Sequence, residues 1–390
     1  MTGADARASH AHVGLALAAL APLAACGVAR AAQWSIEPQF GLLVNYNSNL
    51  LLAPTGELAS EGTTLSVDAT LKHDTGSTQM DLHPHLDLQR FANDPTLNAN
   101  NGSLQGSYST HSERSTFSLG AGYEKASTLV TELSSTGIID ANTRRETTSA
   151  SVSLGRDFSE TQHLDLQGTY ANVVYPDGEQ AGLLGYRYPV VSLTDTFTVS
   201  PRTSWSVGAQ ADQLKVPQTD YLANDQGLRL TLKHSFSALT SVAMAAGGTN
   251  TTVAGTSQHG YVWDLHGTHN SLLTQWDVDI SQTLQPSGRG YLVRRNSVSV
   301  SASQNVGPRL YATMNLQFVR NSEVAGGPFL DVPRYFSGDA GFDYHVAEHI
   351  VVSVTGGYTE LEEPGSYQHA RGWRAGVNTR WTPVPLTTSR

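Results

Sequence analysis

Residues 34–46 read Trp-Ser-Ile-Glu-Pro-Gln-Phe-Gly-Leu-Leu-Val-Asn-Tyr, a run in which apolar and polar side chains largely alternate. Successive side chains of a β-strand point to opposite faces. One face of this strand would carry Trp34, Ile36, Phe40, Leu42, Val44 and Tyr46. The other face would carry Ser35, Glu37, Gln39 and Asn45. A strand with one apolar and one polar face is typical of the wall of a transmembrane β-barrel.

The same alternation recurs along the chain at intervals of roughly twenty residues, with turn-forming residues between the runs. Residues 65–72 and 276–281 are two further examples. Outside the N-terminus, no stretch approaches the roughly 18 consecutive apolar residues that a transmembrane helix needs. The mean hydropathy of -0.26 also fits a barrel, since every second strand residue would face an aqueous interior. The sequence predicts an all-β, antiparallel, up-and-down transmembrane barrel.

Short turns and longer loops alternate between the predicted strands. Eight short turns and nine long loops, among them residues 217–226 and 249–257, give eighteen strands. One missed or false hairpin would make the number sixteen or twenty. An even count leaves both termini on the side of the short, periplasmic turns. Aromatic residues lie near both ends of the first and last strands, where interfacial girdles belong: Trp34, Tyr46, Trp373 and Trp381. The alternative is a soluble β-protein with these aromatic residues in its core.

The N-terminus predicts export. Arg7 precedes an apolar run from Val13 to Ala25, and Ala29-Arg30-Ala31 offers small residues for signal-peptidase cleavage. We expect residues 1–31 to be a signal peptide, residues 32–381 to form the outer-membrane barrel, and residues 382–390 to be a short C-terminal tail. Lipoprotein processing at Cys26 is the alternative, because small residues precede this cysteine.

Charge and cysteine content exclude several classes of function. Cys26 is the only cysteine, so cleavage after Ala31 would leave no thiol for disulfides or metal sites. The formal net charge of -10 is unsuited to binding nucleic acid. No Ser/His/Asp signature, phosphate loop or dinucleotide fingerprint occurs after the signal peptide, so we expect no enzymatic activity and no cofactor.

Part of the chain resembles a known family. The segments that carry the likeness are Ser127-Thr-Leu-Val-Thr-Glu-Leu133 with Gly137, Arg144-Arg145, Tyr170-Ala-Asn-Val-Val-Tyr175 and Asn45-Tyr-Asn-Ser-Asn-Leu50. They resemble the outer-membrane barrels associated with exopolysaccharide export and PEP-CTERM-type loci, the EpsL-like barrels. The resemblance covers the first seven strands and implies a barrel of about eighteen strands acting near polysaccharide secretion. It implies no catalytic residues.

The third predicted strand carries four titratable residues on its polar face: Asp81, His83, His85 and Asp87. Residues two apart on a strand point the same way, so they could chelate a metal. The alternative, which we favour, is a hydrated lumen wall that needs no metal. Pro84 lies on the opposite face and lacks an N–H, which predicts a bulge or bend there.

Two arginine pairs fall where strands descend from predicted extracellular loops. In Arg144-Arg145 and in Arg294-Arg295, one member should enter the lumen and its neighbour should reach the membrane interface. The inward members, with Glu124 and Asp140, could form a charged constriction that selects solutes. The alternative is that these arginines only anchor the strand ends at the interface.

Two further segments leave alternatives open. The longest predicted loop, residues 124–143, could continue as a hairpin above the membrane or fold inward as a plug. The string His345-Val-Ala-Glu-His349 matches a zinc-peptidase motif, but its neighbours are strand-like, so we expect a polar periplasmic turn.

The sequence predicts a channel for export or diffusion of exopolysaccharide or oligosaccharides. The alternative is a plugged barrel that acts as a scaffold or binds polysaccharide or a partner at the cell surface. The expected partners are outer-membrane lipid and the barrel assembly machinery, with exopolysaccharide and its export proteins implied by the resemblance. The inference to sugar depends on that resemblance.

Overall fold

The computed structural model describes residues 33–131, 142–324, 334–363 and 368–389. The predicted signal peptide and Asp140 lie outside these residues. The strands are β1 Gln33–Asn47, β2 Ser60–Asp74, β3 Thr78–Phe91, β4 Ala99–His111, β5 Ser115–Ser127, β6 Arg144–Ser159, β7 Gln162–Val174, β8 Tyr186–Ser200, β9 Thr203–Val216, β10 Tyr221–Ser235, β11 Thr240–Val253, β12 Thr256–Asn270, β13 Thr274–Pro286, β14 Leu292–Gly307, β15 Leu310–Glu323, β16 Arg334–Ala347, β17 Ile350–Glu363, β18 Gln368–Trp381 and β19 Leu386–Ser389.

Helical structure is confined to single turns at Pro95–Leu97, Thr128–Thr131 and Glu179–Ala181 within the described ranges. None of the described helices has the length and apolar character needed to cross a membrane.

The first eighteen strands close into one antiparallel barrel. Each strand from β1 to β18 pairs with the next along the chain, and β18 pairs with β1 from Phe40↔Trp381 to Asn47↔Arg374. Closure gives every strand a partner on both sides, which a membrane-spanning sheet requires because lipid offers no hydrogen bonds. The predicted eighteen-stranded, all-β barrel is confirmed.

The last described residues take part in the seam of the barrel. Residues 386–389 form β19, which pairs with residues 33–36 of β1, including Ile36↔Leu386. Pro383 and Pro385 separate β18 from β19, because proline has no N–H to donate to a ladder. β19 therefore continues the pairing along β1 toward the periplasmic end.

All eight predicted short turns lie between strands, but two predicted long loops are wrong. Residues 217–226 and 249–257 were expected to be loops, whereas the connections are only residues 217–220 and 254–255. Strand pairing continues up to Val253↔Thr256. Ala254 and Gly255 both have positive φ, +48° and +83°, as in the two-residue turns that join hairpin strands.

The outer surface of the barrel is apolar. Large apolar side chains stand exposed on one face of successive strands, including Leu42, Val67, Leu154, Leu230 and Val354. A belt of this size is unfavourable in water, because buried apolar area is worth about 25 cal/mol per Å². The belt therefore faces lipid, and the chain is an outer-membrane β-barrel. The short turns lie on the same side as the two termini, which is the periplasmic side.

Candidate functional site: the lumen and its extracellular mouth

The inner face of the β2–β3 wall carries a compact charged group. The His85 ring lies between two carboxylates, with Nδ1 2.5 Å from Asp68 Oδ1 and Nε2 3.1 Å from Asp87 Oδ2. The Ser66 hydroxyl donates to Asp87 Oδ1 at 2.6 Å. Two of the four predicted lumen-wall residues are thus brought together, with Asp68 of the neighbouring strand.

The other two candidates on this wall have separate partners. His83 Nδ1 lies 3.0 Å from the Thr70 hydroxyl, and Gln79 Nε2 donates to Asp81 Oδ2 at 2.9 Å. Asp81, His83, His85 and Asp87 therefore do not converge on one point. Within the described ranges, no group of three or more His, Cys, Asp or Glu side chains could hold a metal ion.

The first arginine pair divides between the two faces of β6. Arg144 lies on the outward face, where its Nε is 2.9 Å from Glu146 Oε1. In the pairing of β5 with β6, Arg145 lies opposite Ala126 and Glu124 lies opposite Thr147. Arg145 and Glu124 therefore both lie on the inward face. Asp140, the other predicted member of the constriction, lies outside the described residues.

The second arginine pair divides in the same way on β14. Arg295 is paired with Thr283 and Asn321 on the inward parity. Arg294 has the opposite parity, and its guanidinium carbon lies 5.9 Å from the centre of the Tyr261 ring. Because β6 and β14 are eight strands apart of eighteen, Arg145 and Arg295 lie on nearly opposite walls.

The hairpin formed by β13 and β14 leaves the barrel wall near its extracellular end. β12 and β13 pair only from Asn270↔Gln275 to Trp263↔Gln282. Beyond that point, residues 283–294, here called the hairpin tip, fold across the inner face of the wall. Leu292, at the end of the tip, is only 1% exposed.

Leu292 belongs to an apolar cluster inside the barrel. The first inner cluster consists of Val173, Tyr175, Leu183, Tyr186, Leu214, Val216, Ala223, Val253, Leu292 and Val324. Leu214 and Val216 have the parity of Gln210 and Asp212, which face the lumen. Burial of this apolar area, at roughly 25 cal/mol per Å², stabilises the inward position of the hairpin tip.

Backbone contacts also hold the hairpin tip. Leu184 N donates to Gly288 O at 2.7 Å, which connects the tip to the loop between β7 and β8. Gly290 has φ +79°, and a Cβ there would lie 3.0 Å from Leu184 Cδ1 and 3.1 Å from Val216 Cγ1. Glycine favours this conformation, and a side chain here would press against Leu184 and Val216.

A second inner cluster narrows the mouth from the other side. It consists of Leu52, Val319, Tyr335, Leu361 and Ala370, with Leu51 and Leu129 packed against it. The loop between β1 and β2 supplies Leu51 and Leu52, and the helical turn after β5 supplies Leu129. The described start of the 124–143 loop therefore turns inward, as the plug alternative expected.

Asn49 holds the β1–β2 loop in place. Its side-chain Nδ2 donates to Ala53 O at 2.8 Å and to Arg371 O at 3.0 Å. Its Oδ1 accepts from Ala53 N at 3.0 Å. These bonds satisfy backbone groups that would otherwise be buried without partners.

Beneath the hairpin tip is a cavity of about 400 Å³. Its lining contains both polar and apolar residues and includes Thr194, Gln210, Asp225, Arg229, Thr231 and Leu284. The Thr251 hydroxyl donates to Asp225 at 2.5 Å, and Arg229 forms an ion pair with Asp264. The lumen below the inner clusters is therefore a polar, charged compartment.

Sequence reasoning missed the two inner clusters. The signal was present as apolar residues on the parity that should face water, such as Val173, Leu214, Val216 and Tyr335. Three consecutive apolar residues, Tyr291-Leu292-Val293, also break the alternation at the start of β14. Apolar side chains on both faces indicate that both faces are covered.

No protein-family model matches the chain. No curated protein matches it in sequence. Solved structures match it in fold: a BenF-like porin from Pseudomonas fluorescens Pf-5 superimposes with a TM-score of 0.51 at 11% identity, covering 92% of this chain and 99% of the porin. OccK7 (OpdD) from Pseudomonas aeruginosa gives a TM-score of 0.49 at 12% identity, covering 91% and 99% of the two chains.

The protein thus has the fold of a porin. The EpsL-like resemblance has no counterpart in these comparisons, whereas the barrel architecture that it implied is present. Below the inner clusters, the lumen has the polar lining that a water-filled passage requires.

Proposed function

We propose that the protein is an outer-membrane channel for passive diffusion of small polar solutes. The observation that carries the proposal is the polar inward face of a closed eighteen-stranded barrel, for example Ser149, Ser151 and Ser153 on β6. Barrels of sixteen to eighteen strands are wide enough to leave an aqueous channel. The porin fold supports the same function.

The hairpin tip and the β1–β2 loop set the size limit in this proposal. Both fold inward at the extracellular end, where the inner clusters occupy part of the cross-section. A narrowed mouth favours small solutes over a polymer. Short oligosaccharides stay within the proposal, because serine, threonine, asparagine and aspartate can exchange hydrogen bonds with sugar hydroxyls. Exopolysaccharide export depends on the sequence resemblance alone.

Swelling of proteoliposomes tests this function. Vesicles containing the refolded protein are diluted into isotonic arabinose, sucrose or maltoheptaose, and the rate of swelling is followed by light scattering. We expect rapid swelling in arabinose, slower swelling in sucrose and the slowest swelling in maltoheptaose. Protein-free vesicles are the control, and swelling no faster than theirs in any solute would contradict a diffusion channel.

The second candidate is a plugged barrel that acts as a scaffold or a binding protein. The burial of Leu292 and Leu52 inside the barrel favours it, because both segments close part of the mouth. In that case vesicles would contain inserted protein but would not swell. The same assay therefore separates the two functions.

A further inference from the structure

The barrel wall opens between β12 and β13 near its extracellular end. β11 and β12 pair to the end of their hairpin at Val253↔Thr256, whereas β13 pairs with no residue of β12 above Trp263. On the other side, β13 and β14 stay paired up to Pro286↔Leu292. The inward fold of the hairpin tip therefore leaves a gap between β12 and β13.

The gap begins at the outer boundary of the membrane. The segment of β12 from Tyr261 to Asn270 at the periplasmic end is ten residues long, and a tilted strand of about 9–11 residues crosses the hydrocarbon layer. Tyr261 is 61% exposed on the outward face. The apolar side chains of Met244 and Leu228 are exposed on the same face. A tyrosine in this position is typical of the membrane–water interface.

Few described side chains bridge the gap. Gln282 Nε2 donates to Tyr261 O at 2.7 Å, at the last rung of the interrupted ladder. Above it, the Arg294 guanidinium lies 5.9 Å from the Tyr261 ring centre. Arg294 forms no ion pair with any described carboxylate, and its Nε is buried without a hydrogen bond. By contrast, Arg144 lies on an intact part of the wall and is paired with Glu146.

The gap lies next to the cavity beneath the hairpin tip. Val262 of β12 and Thr283 and Leu284 of β13 line that cavity together with residues of β8 to β11. These three residues belong to the two strands that border the gap. Lipid-facing surface, gap and cavity are therefore adjacent.

We propose that the gap is a side portal through which a single-chain anionic amphiphile passes between the outer leaflet and the lumen. The guanidinium of Arg294 would bind the anionic head group, which supplies the ion-pair partner that this half-buried cation lacks among the described residues. The acyl chain would lie along Tyr261 and Leu284. Uncharged or cationic amphiphiles would gain nothing from Arg294. This proposal is independent of solute diffusion through the mouth.

Photo-crosslinking tests the proposal. The refolded protein, in phosphatidylcholine vesicles, is irradiated with a diazirine-bearing dodecanoate, and labelled residues are mapped by mass spectrometry. We expect labels on Tyr261, Thr283 and Leu284 in the wild type. Labelling there should fall several-fold in Arg294→Gln and stay at the wild-type level in Arg144→Gln, while Leu166 on the lipid-facing surface is labelled equally in all three. Equal labelling of the gap in all three proteins would overturn the proposal.

A covalent bridge tests the route. In a Cys26→Ser background, Tyr261→Cys and Leu284→Cys are joined by a bismaleimide across the gap. The control joins Asn250→Cys and His259→Cys, which are directly paired on β11 and β12. We expect the bridge across the gap, but not the control bridge, to reduce labelling of Thr283 several-fold. Unchanged labelling of Thr283 would show entry through the mouth and would contradict a side portal.

Discussion

Arg145 and Arg295 place positive charge on nearly opposite inner walls of the barrel. Arg295 has no ion pair or hydrogen bond to any described residue, so its charge is not neutralised locally. Two unit charges about 4 Å apart interact by about 1 kcal/mol in water. The local concentration of an ion close to the Arg295 guanidinium would therefore change several-fold, in a direction set by the sign of the ion's charge.

Removing these two charges should shift ion selectivity. We predict that Arg145→Gln with Arg295→Gln raises the cation-to-anion permeability ratio several-fold, as measured by the reversal potential in a salt gradient. The matched control is Arg144→Gln with Arg294→Gln, which removes the same charge from the outward face. If both double variants shift the potential equally, or neither does, the inward arginines do not form a selective constriction.

Parity along each strand assigns individual residues to one face of the barrel wall. It put Asp81, His83, His85 and Asp87 on the inner wall and predicted one inward arginine in each pair. It could not predict that His85 lies between Asp68 and Asp87, because that depends on the register between β2 and β3. At Pro84 the β2–β3 ladder is interrupted, but its register is kept, so no bulge forms.

Among the structural elements, the hairpin tip is the one that the sequence predicted least. Its position depends on Gly290, whose positive φ and close contacts disfavour any side chain. A non-glycine residue in the left-handed region costs roughly 1–2 kcal/mol, and the contacts with Leu184 and Val216 add to this cost.

We predict that Gly290→Leu releases the tip from the inner wall. Limited trypsin digestion measures this, because Arg289 lies in the tip and should be cleaved much faster in the variant. Gly76→Leu is the matched control: Gly76 also has a positive φ, +81°, but a Cβ there has no neighbour within 4 Å. Cleavage at Arg289 that is equally slow in both variants would show that the contacts around Gly290 do not hold the tip.

β19 is the second element whose contribution to the stability of the barrel can be tested. Its residues extend the β1 ladder by four pairs, from Gln33↔Ser389 to Ile36↔Leu386. Each hydrogen bond is worth about 0.5–1.5 kcal/mol. We predict that deletion of residues 386–390 still permits barrel formation but lowers the midpoint of thermal unfolding, measured by the heat-modifiable mobility shift on gels. A midpoint equal to that of the full chain would show that β19 does not stabilise the seam.

The whole barrel could be predicted from sequence because the alternation of apolar and polar side chains is a local pattern. The barrel strands have 13 to 16 residues with alternating side chains, and short turns join them. This pattern specifies up-and-down strands, and no contact between residues distant in sequence is needed to predict it. The mouth could not be predicted, because the contacts of Leu292 with Leu214 and of Leu129 with the second inner cluster join residues far apart in sequence. Loops that fold back into a lumen follow no periodicity.

The molecule as a whole is a polar tube with an apolar exterior, narrowed at one end by its own segments. Leu292 holds the hairpin tip against the first inner cluster. By contrast, Leu272 lies in a periplasmic turn and is 96% exposed. Leu292→Ser removes a leucine side chain from inside the mouth, and Leu272→Ser removes one from outside the barrel.

Single-channel conductance in planar bilayers tests whether the lumen conducts ions and whether the hairpin tip limits the conductance. We predict discrete open steps for the wild type, steps of the same size for Leu272→Ser, and larger steps for Leu292→Ser. Inserted protein that gives no steps in any of the three forms would contradict a conducting lumen and show a plugged barrel.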